Sequence, residues 1–171
     1  MSARPRAAAN HSDTRHSMST AKAKGTRVVP PTASKVMRAF GDEITIHLSG
    51  ADTDGQYTMF TAVAPPGGGP PLHCHNKEDE WFLIQEGKAE FYKDGAWTEV
   101  PVGSVVFTPR GVVHAFRNAG KTPLRMLVHT APAGFEEFFG KCAKEFAKPG
   151  PPDMARIVQI AEEHGIEFPK P

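Results

Sequence analysis

The sequence predicts an all-β barrel followed by two α-helices. Three observations carry this expectation. Short segments that alternate apolar and polar residues recur between 43 and 130, the period at which a strand buries one face. The 16 glycines and 16 prolines gather largely between those segments, at PPGGGPP, PVGS, TPRG and KPGPP, so they read as turns of a β-rich body. After residue 134 the period changes: Phe135, Phe138, Phe139, Cys142 and Phe146 fall at helical spacing.

Taken in order, residues 28–40 read as an extended lead-in that ends in a turn at Gly41-Asp42. A strand at 43–48 (EITIHL) follows, then the turn cluster SGADTDG and a strand at 57–64 (YTMFTAVA). PPGGGPP excludes both helix and central strand. Further strands are expected at 80–85, 89–93, 97–100, 104–108, 114–118 and 123–130. Asp94-Gly95 is a two-residue hairpin signal among them. Strands this short and evenly spaced belong to a sandwich or barrel. The phenylalanine stripe marks a first helix, read as ordinary packing on the barrel exterior. Asp153 is expected to cap a second helix, with Ile157, Val158 and Ala161 inward and Gly165 at its end. The resulting division is a disordered basic tail at 1–27, a barrel at 28–134 and a helical extension at 135–171.

A chain of 171 residues fits one domain with tails. Its net charge of +1 is unevenly spread. Residues 1–27 carry six bases and one acid, and the remainder carries fourteen bases and eighteen acids, a net of −4. The body therefore offers no basic face for nucleic acid. Cys74 and Cys142 stand at neither zinc-ribbon nor CxxC spacing, so two buried thiols in a reducing cytoplasm are expected. No run of 18 apolar residues suggests a membrane partner, and the first 27 residues lack the apolar core of a secretory signal.

The chemistry concentrates in GGGPPLHCHNKEDEWFLIQEG (67–87). Histidines two apart on a strand share a face, so His73 and His75 project together while Cys74 points away. Glu80 opens the next strand after a short turn and can bring its carboxylate beside both rings. A second segment, GSVVFTPRGVVHAFRN (103–118), turns sharply at Pro109 and Gly111, which lets His114 return as a fourth donor. Three imidazoles and one carboxylate are the donor set of a first-row divalent transition metal; iron, manganese, nickel, cobalt and zinc all suit it.

These segments resemble the cupin superfamily. The first cupin motif is matched by Gly67, His73, His75, Glu80 and Gly87, and the second by Gly103, Pro109, Gly111, His114 and Asn118, with 15 residues between the motifs. The motif also admits Asp79 at the acidic position, but only Glu80 keeps the six-residue step to Gly87; Glu78 and Asp79 are then read as solvated turn charges. The resemblance implies a double-stranded β-helix, or jelly-roll, barrel with the metal inside it. By resemblance too, a homodimer is expected.

More widely, the chain is similar to small cupins of the quercetin dioxygenase-like kind, through DTDGQYTMF, GGGPPLHCH…EDEWF and PAGFEEFF. That likeness implies an oxidoreductase, a metal-dependent dioxygenase acting on a small phenolic or enolic compound, with Glu80 as the base. Two alternatives share the same residues: a non-redox metal-dependent isomerase or lyase, and a cupin that binds a small molecule without turnover. A dioxygenase predicts an apolar pocket, for which Phe60, Phe82, Phe91, Phe107, Phe116 and Met126 are candidate walls. His129 is a candidate for the pocket mouth, whereas His47 and His164 read as structural. Arg110 and Arg117 are read as solvated or paired with acids.

Overall fold

The computed structural model describes residues 25–169. Most of the tail expected at 1–27 lies outside the described residues; Arg27, at its end, pairs with the Asp52 carboxylate. A 3-10 turn at Pro31–Ala33 leads into β1 (Lys35–Ala39), β2 (Asp42–Leu48), a one-turn helix α1 (Gly50–Thr53) and β3 (Thr58–Ala64). Then come β4 (Cys74–His75), β5 (Asp79–Glu86), β6 (Ala89–Lys93), β7 (Ala96–Val100), β8 (Val105–Thr108), β9 (Ala115–Asn118) and β10 (Leu124–Ala131). Helices α2 (Phe135–Phe146) and α3 (Met154–Glu163) and the short β11 (Ile166–Glu167) complete the order.

Six strands form one sheet in the order β1-β2-β3-β10-β5-β8, three form a second in the order β7-β6-β9, and β11 pairs with β4. The pairings within them are antiparallel. This is the expected all-β jelly-roll barrel with C-terminal helices. Alternation decides which side chains enter it. Phe60, Ala62 and Ala64 of β3, Phe82 and Ile84 of β5, and Leu124, Met126 and Val128 of β10 are all buried. The second sheet closes the core through Phe91 and Phe116, whose rings lie 5.0 and 6.0 Å from Phe82. Each such ring contributes on the order of 1.5–3 kcal/mol by leaving water.

The lead-in differs from expectation, because residues 35–39 are a strand. Met37 and Ala39 are buried, and Met37 pairs opposite Ile44, so tertiary burial sets the state of a segment too short to show a period. The connecting turn is Phe40-Gly41, one residue earlier than expected, with φ of 58° and 85°. Two left-handed residues make the turn that suits a two-residue hairpin, but a phenylalanine seldom occupies it. Phe40 is held there by Phe138 and Phe146, whose rings lie 6.1 and 5.0 Å away.

The SGADTDG cluster also holds more than a turn: Ser49 and Asp52 form a reciprocal capping box over α1. Asp153 caps α3 by accepting from the Arg156 N–H at 3.1 Å. Val158 faces solvent, and Ile160 takes the inward place with Ile157 and Ala161. Helix α2 is fixed to the barrel by Glu136, which accepts from the N–H groups of Gly50 (2.7 Å) and Gly134 (2.9 Å) and from the Thr58 hydroxyl. It does more than cover the exterior, because its phenylalanines enter the cavity described next.

Candidate metal centre

The turn chemistry of both motif segments determines where the four donors meet. His73 and His114 exchange backbone hydrogen bonds, N–H to O at 3.0 and 2.8 Å, which sets the two residues side by side. The Gly111 N–H donates to the His75 carbonyl at 2.7 Å, from a φ of +78° that favours glycine. The TPRG turn thus ties the strand carrying His114 to the strand carrying His75. Glu80 stands at the first inward position of β5, opposite Thr108 and Thr130. Pairing with β11 holds β4 in place, with His75 opposite Ile166.

The structure brings His73, His75, Glu80 and His114 together, each buried, with one donor atom apiece lying within 4.8 Å of all the others. His73 Nε2 lies 3.1 Å from His75 Nε2. A Glu80 carboxylate oxygen lies 3.0 Å from His114 Nε2 and 3.5 Å from His75 Nε2. Donors bound at right angles about 2.1 Å from one ion stand roughly 3.0 Å apart, so these separations suit a shared cation.

The outer nitrogens decide the tautomers. His73 Nδ1 lies 2.9 Å from the Pro71 carbonyl and His114 Nδ1 3.0 Å from the Val112 carbonyl. A carbonyl only accepts, so each Nδ1 donates and each Nε2 faces into the cluster. His75 Nδ1 is buried without a hydrogen bond, and the nearest acid is the buried Glu78 carboxylate at 3.7 Å. That carboxylate favours a proton on His75 Nδ1 as well. Three Nε2 atoms and a carboxylate then converge, a donor set that a cation could share by displacing the proton that Glu80 favours on His114.

The titration shifts follow from the same crowding. Burial, followed by the neighbouring His114 and His75, depresses His73 to about 3, so its ring is neutral. Burial pushes Glu80 upward, but His75, His114 and His73 outweigh it and hold the carboxyl below its ordinary value. Burial pushes His114 downward, but the hydrogen bond and charge of Glu80 outweigh it and raise the ring.

Beside the donors lies a cavity of about 80 Å³, reached by His73 and Glu80 and walled by Phe60, Phe82, Phe116 and Val128 of the barrel. Phe135, Phe138 and Phe139 of α2 also line it, as do Phe40, Ile166 and Phe168. The Phe135 ring lies 4.8 Å from His75. Of the candidate walls, Phe60, Phe82 and Phe116 line the cavity, whereas Phe91 and Met126 are core residues outside it. Phe107 is 53% exposed on the outer face, against Trp81 at 5.5 Å. The α2 phenylalanines were expected only to pack; a helix stripe does not show that the barrel it covers is hollow.

The remaining candidates separate cleanly. Asp79 faces outward, where Arg110 grips it with two side-chain nitrogens at 3.0 and 3.1 Å and its own N–H at 2.9 Å. Glu78 is 5% exposed, not a solvated turn charge, because its turn tucks it under His75. His129 lies on the outer face beside Tyr57 and not at the cavity. His47 bonds Ser34 and Thr61, and His164 Nδ1 bonds the Ile160 carbonyl. Arg117 pairs with Glu90 and lies 4.4 Å over the Trp97 ring. Both cysteines are free and buried. Sequence reasoning missed Asp42, which lines the cavity, and Thr130, whose buried hydroxyl lacks a bond across from Glu80. Only their inward parity along alternating strands could have signalled them.

Comparison with known proteins agrees with this geometry. An oxalate-binding protein of Thermotoga maritima is 27% identical over 106 residues, 61% of this chain and 88% of that protein. A quercetin 2,3-dioxygenase of Bacillus subtilis is 25% identical over 138 residues, which cover 77% of this chain and 41% of the enzyme. The crystal structure of a predicted oxalate decarboxylase from T. maritima superposes with a TM-score of 0.54 at 25% identity, over 62% of this chain and 99% of that one. No helix among the described residues is long and apolar enough to cross a membrane. Residues 60–130, which include every motif position from Gly67 to Asn118, match the family described as the cupin domain.

Proposed function

We propose that this protein is a metal-dependent dioxygenase acting on a small phenolic or enolic compound. The observation that carries the reading is a buried, convergent three-histidine, one-glutamate cluster whose His73 and Glu80 open onto an aromatic-walled cavity. A divalent transition metal held by His73, His75, Glu80 and His114 would supply Lewis acidity and a route for electrons to dioxygen. The chain's own groups supply the rest. The Glu80 carboxylate, at the cavity wall, is placed to take the proton of a substrate hydroxyl. Phe60, Phe82, Phe116 and the α2 phenylalanines orient a flat ring and keep water away from it.

The cavity size narrows the class. Pockets for drug-sized ligands run to several hundred Å³, so at about 80 Å³ this one suits a compound near the size of a single ring. The likeness to the Bacillus enzyme supports the dioxygenase reading, and the substrate is inferred from the cavity.

Elemental mass spectrometry of the purified protein, followed by oxygen uptake with a panel of small diketones, phenols and flavonols, tests the proposal. Stoichiometric iron, nickel, manganese or cobalt with oxygen consumption would support it. Turnover without oxygen would replace it by a non-redox isomerase or lyase. Absence of metal after reconstitution would overturn it.

A further inference from the structure

The inner face of β10 runs Leu124, Met126, Val128, Thr130, and each of these side chains is buried. The first three are apolar core, whereas the fourth carries a hydroxyl. Thr130 is wholly buried, and its Oγ1 has no hydrogen-bond partner among the described residues. A valine would fill nearly the same volume without stranding a polar atom, so the fold alone does not account for a threonine here.

The strand register supplies a reason. Thr130 stands directly opposite Glu80 on β5 and Thr58 on β3. Opposed residues of an antiparallel pair share a face, with Cβ atoms about 4.5–5.5 Å apart. Toward β3 the polar groups are already engaged: the Thr58 hydroxyl donates to Glu136, whose carboxylate also accepts from the N–H groups of Gly50 and Gly134. Toward β5 lies a carboxylate whose contacts with His114 Nε2 and His75 Nε2, at 3.0 and 3.5 Å, both use Oε2. Thr108 flanks Glu80 on its other side, but of these two threonines only Thr130 has a hydroxyl both fully buried and unbonded.

We propose that Thr130 is a positioning residue of the metal centre: its hydroxyl donates to the Glu80 carboxylate when a cation takes the place of the His114–Glu80 hydrogen bond. This rests on the reading of the cluster as a metal site. A cation on His114 Nε2 removes the hydrogen bond that orients Glu80, and ligating carboxylates are ordinarily held by a further hydrogen bond. The Thr130 hydroxyl is the stranded donor one strand away, and a turn of the carboxylate closes the bond. Glu80 then keeps one orientation at the cavity wall.

The experiment strips the full-length protein of metal and titrates it with cobalt(II) against a competing chelator, beside Thr130→Val, Thr130→Ser and His114→Ala. Thr130→Val binds cobalt about tenfold more weakly than the wild type, the low end of what outer-shell changes cost. Thr130→Ser, which keeps the donor, recovers most of that loss. Without metal, Thr130→Val melts at or above the wild-type temperature, because a methyl replaces an unbonded buried hydroxyl. At one cobalt concentration the ion raises the melting temperature of the wild type by more than it raises that of Thr130→Val. A threonine serving only the fold would change both states alike.

Equal cobalt affinity in the wild type and Thr130→Val, a serine variant as weak as the valine one, or a metal-free Thr130→Val that melts below the wild type would each overturn the proposal. His114→Ala separates it from the cluster reading. A wild type that binds no cobalt, or whose affinity survives His114→Ala, overturns both, whereas affinity lost in His114→Ala but kept in Thr130→Val overturns the role of Thr130 alone.

Discussion

On the inner face of the six-stranded sheet, Glu80 lies 3.0 Å from one imidazole and 3.5 Å from another, with an aromatic cavity beside it. One residue away, on the outer face, Asp79 is saturated by Arg110, whose hydrogen bonds hold its carboxyl down at about 2. The contrast extends across the sheet. Outside, His47 bonds Ser34 and Thr61, and Phe107 lies tilted beside Trp81 in partial contact with solvent. Inside, His75 Nδ1, Glu78 Oε2, Asp42 Oδ1 and Thr130 Oγ1 are buried without hydrogen bonds. Both faces use histidine, carboxylate and aromatic residues. What sets the inner face apart is hydrogen-bonding capacity left unused where water does not reach, and that is the property a ligand can exploit.

Substitutions paired across the sheet test this contrast. The largest effect is expected for His114→Ala, which removes one of four donors: metal affinity, and with it metal content by elemental mass spectrometry, should fall more than about a hundredfold, since outer-shell changes alone cost roughly 10–100-fold. Asp79→Asn, its outer counterpart, should leave metal content unchanged. Equal loss in both would mean that the sheet and not the cluster determines metal content.

Next come the aromatic pair. Phe135→Ala removes a buried ring from the cavity wall and should cost about 3–5 kcal/mol in urea denaturation, whereas Phe107→Ala on the exposed face should cost under about 1 kcal/mol.

Asp42 then gives a pH dependence. Its folded pKa, about 7, is above the ordinary 3.8, so the folded state holds the proton more tightly than the unfolded chain does. Stability is therefore undiminished below about pH 4, falls as pH rises between those two values, and is level above them. Relative to Asp42→Asn, the wild type should lose up to about 4 kcal/mol across that window, an upper bound at about 1.4 kcal/mol per pKa unit. Melting curves from pH 4 to 8 check this, and parallel curves for the two proteins would refute it.

The smallest effect is expected for Glu78→Gln, which weakens the hold on the His75 tautomer without removing a donor. A metal affinity lower by about tenfold, read by competition with a chelator, is expected.

Much of the barrel is legible in the sequence because strands half-buried in a barrel must alternate. Residues 43–48 and 80–85 therefore show which of their side chains enter the core. The convergence of His73, His75, Glu80 and His114 is legible for a different reason: two turns with fixed glycine and proline positions constrain where those side chains can go. The unreadable parts depend on distant contacts. Strand β1 is defined by Met37 and Ala39 meeting β2, and no local period announces it. Glu78 looks like any charged turn residue until the fold places His75 over it. The α2 stripe gives the buried face of the helix but not what lies beneath, so Phe135 and Phe138 appear as filler and prove to be walls. Val158 and Ile160 show the same limit on a small scale, since several apolar residues on one helix leave the exact facing open.

The pairing of β11 with β4 has a consequence in time. His75 sits on a two-residue strand whose partner is Ile166–Glu167, and the adjacent bond from Asn76 to Glu167 spans 91 residues. A chain emerging from the ribosome can close its long sheet well before that partner exists. The strand bearing His75 can be tied by the Gly111 N–H as soon as the barrel closes, but it gains its sheet partner only when residue 167 is free to pair, so the setting of that donor is completed last.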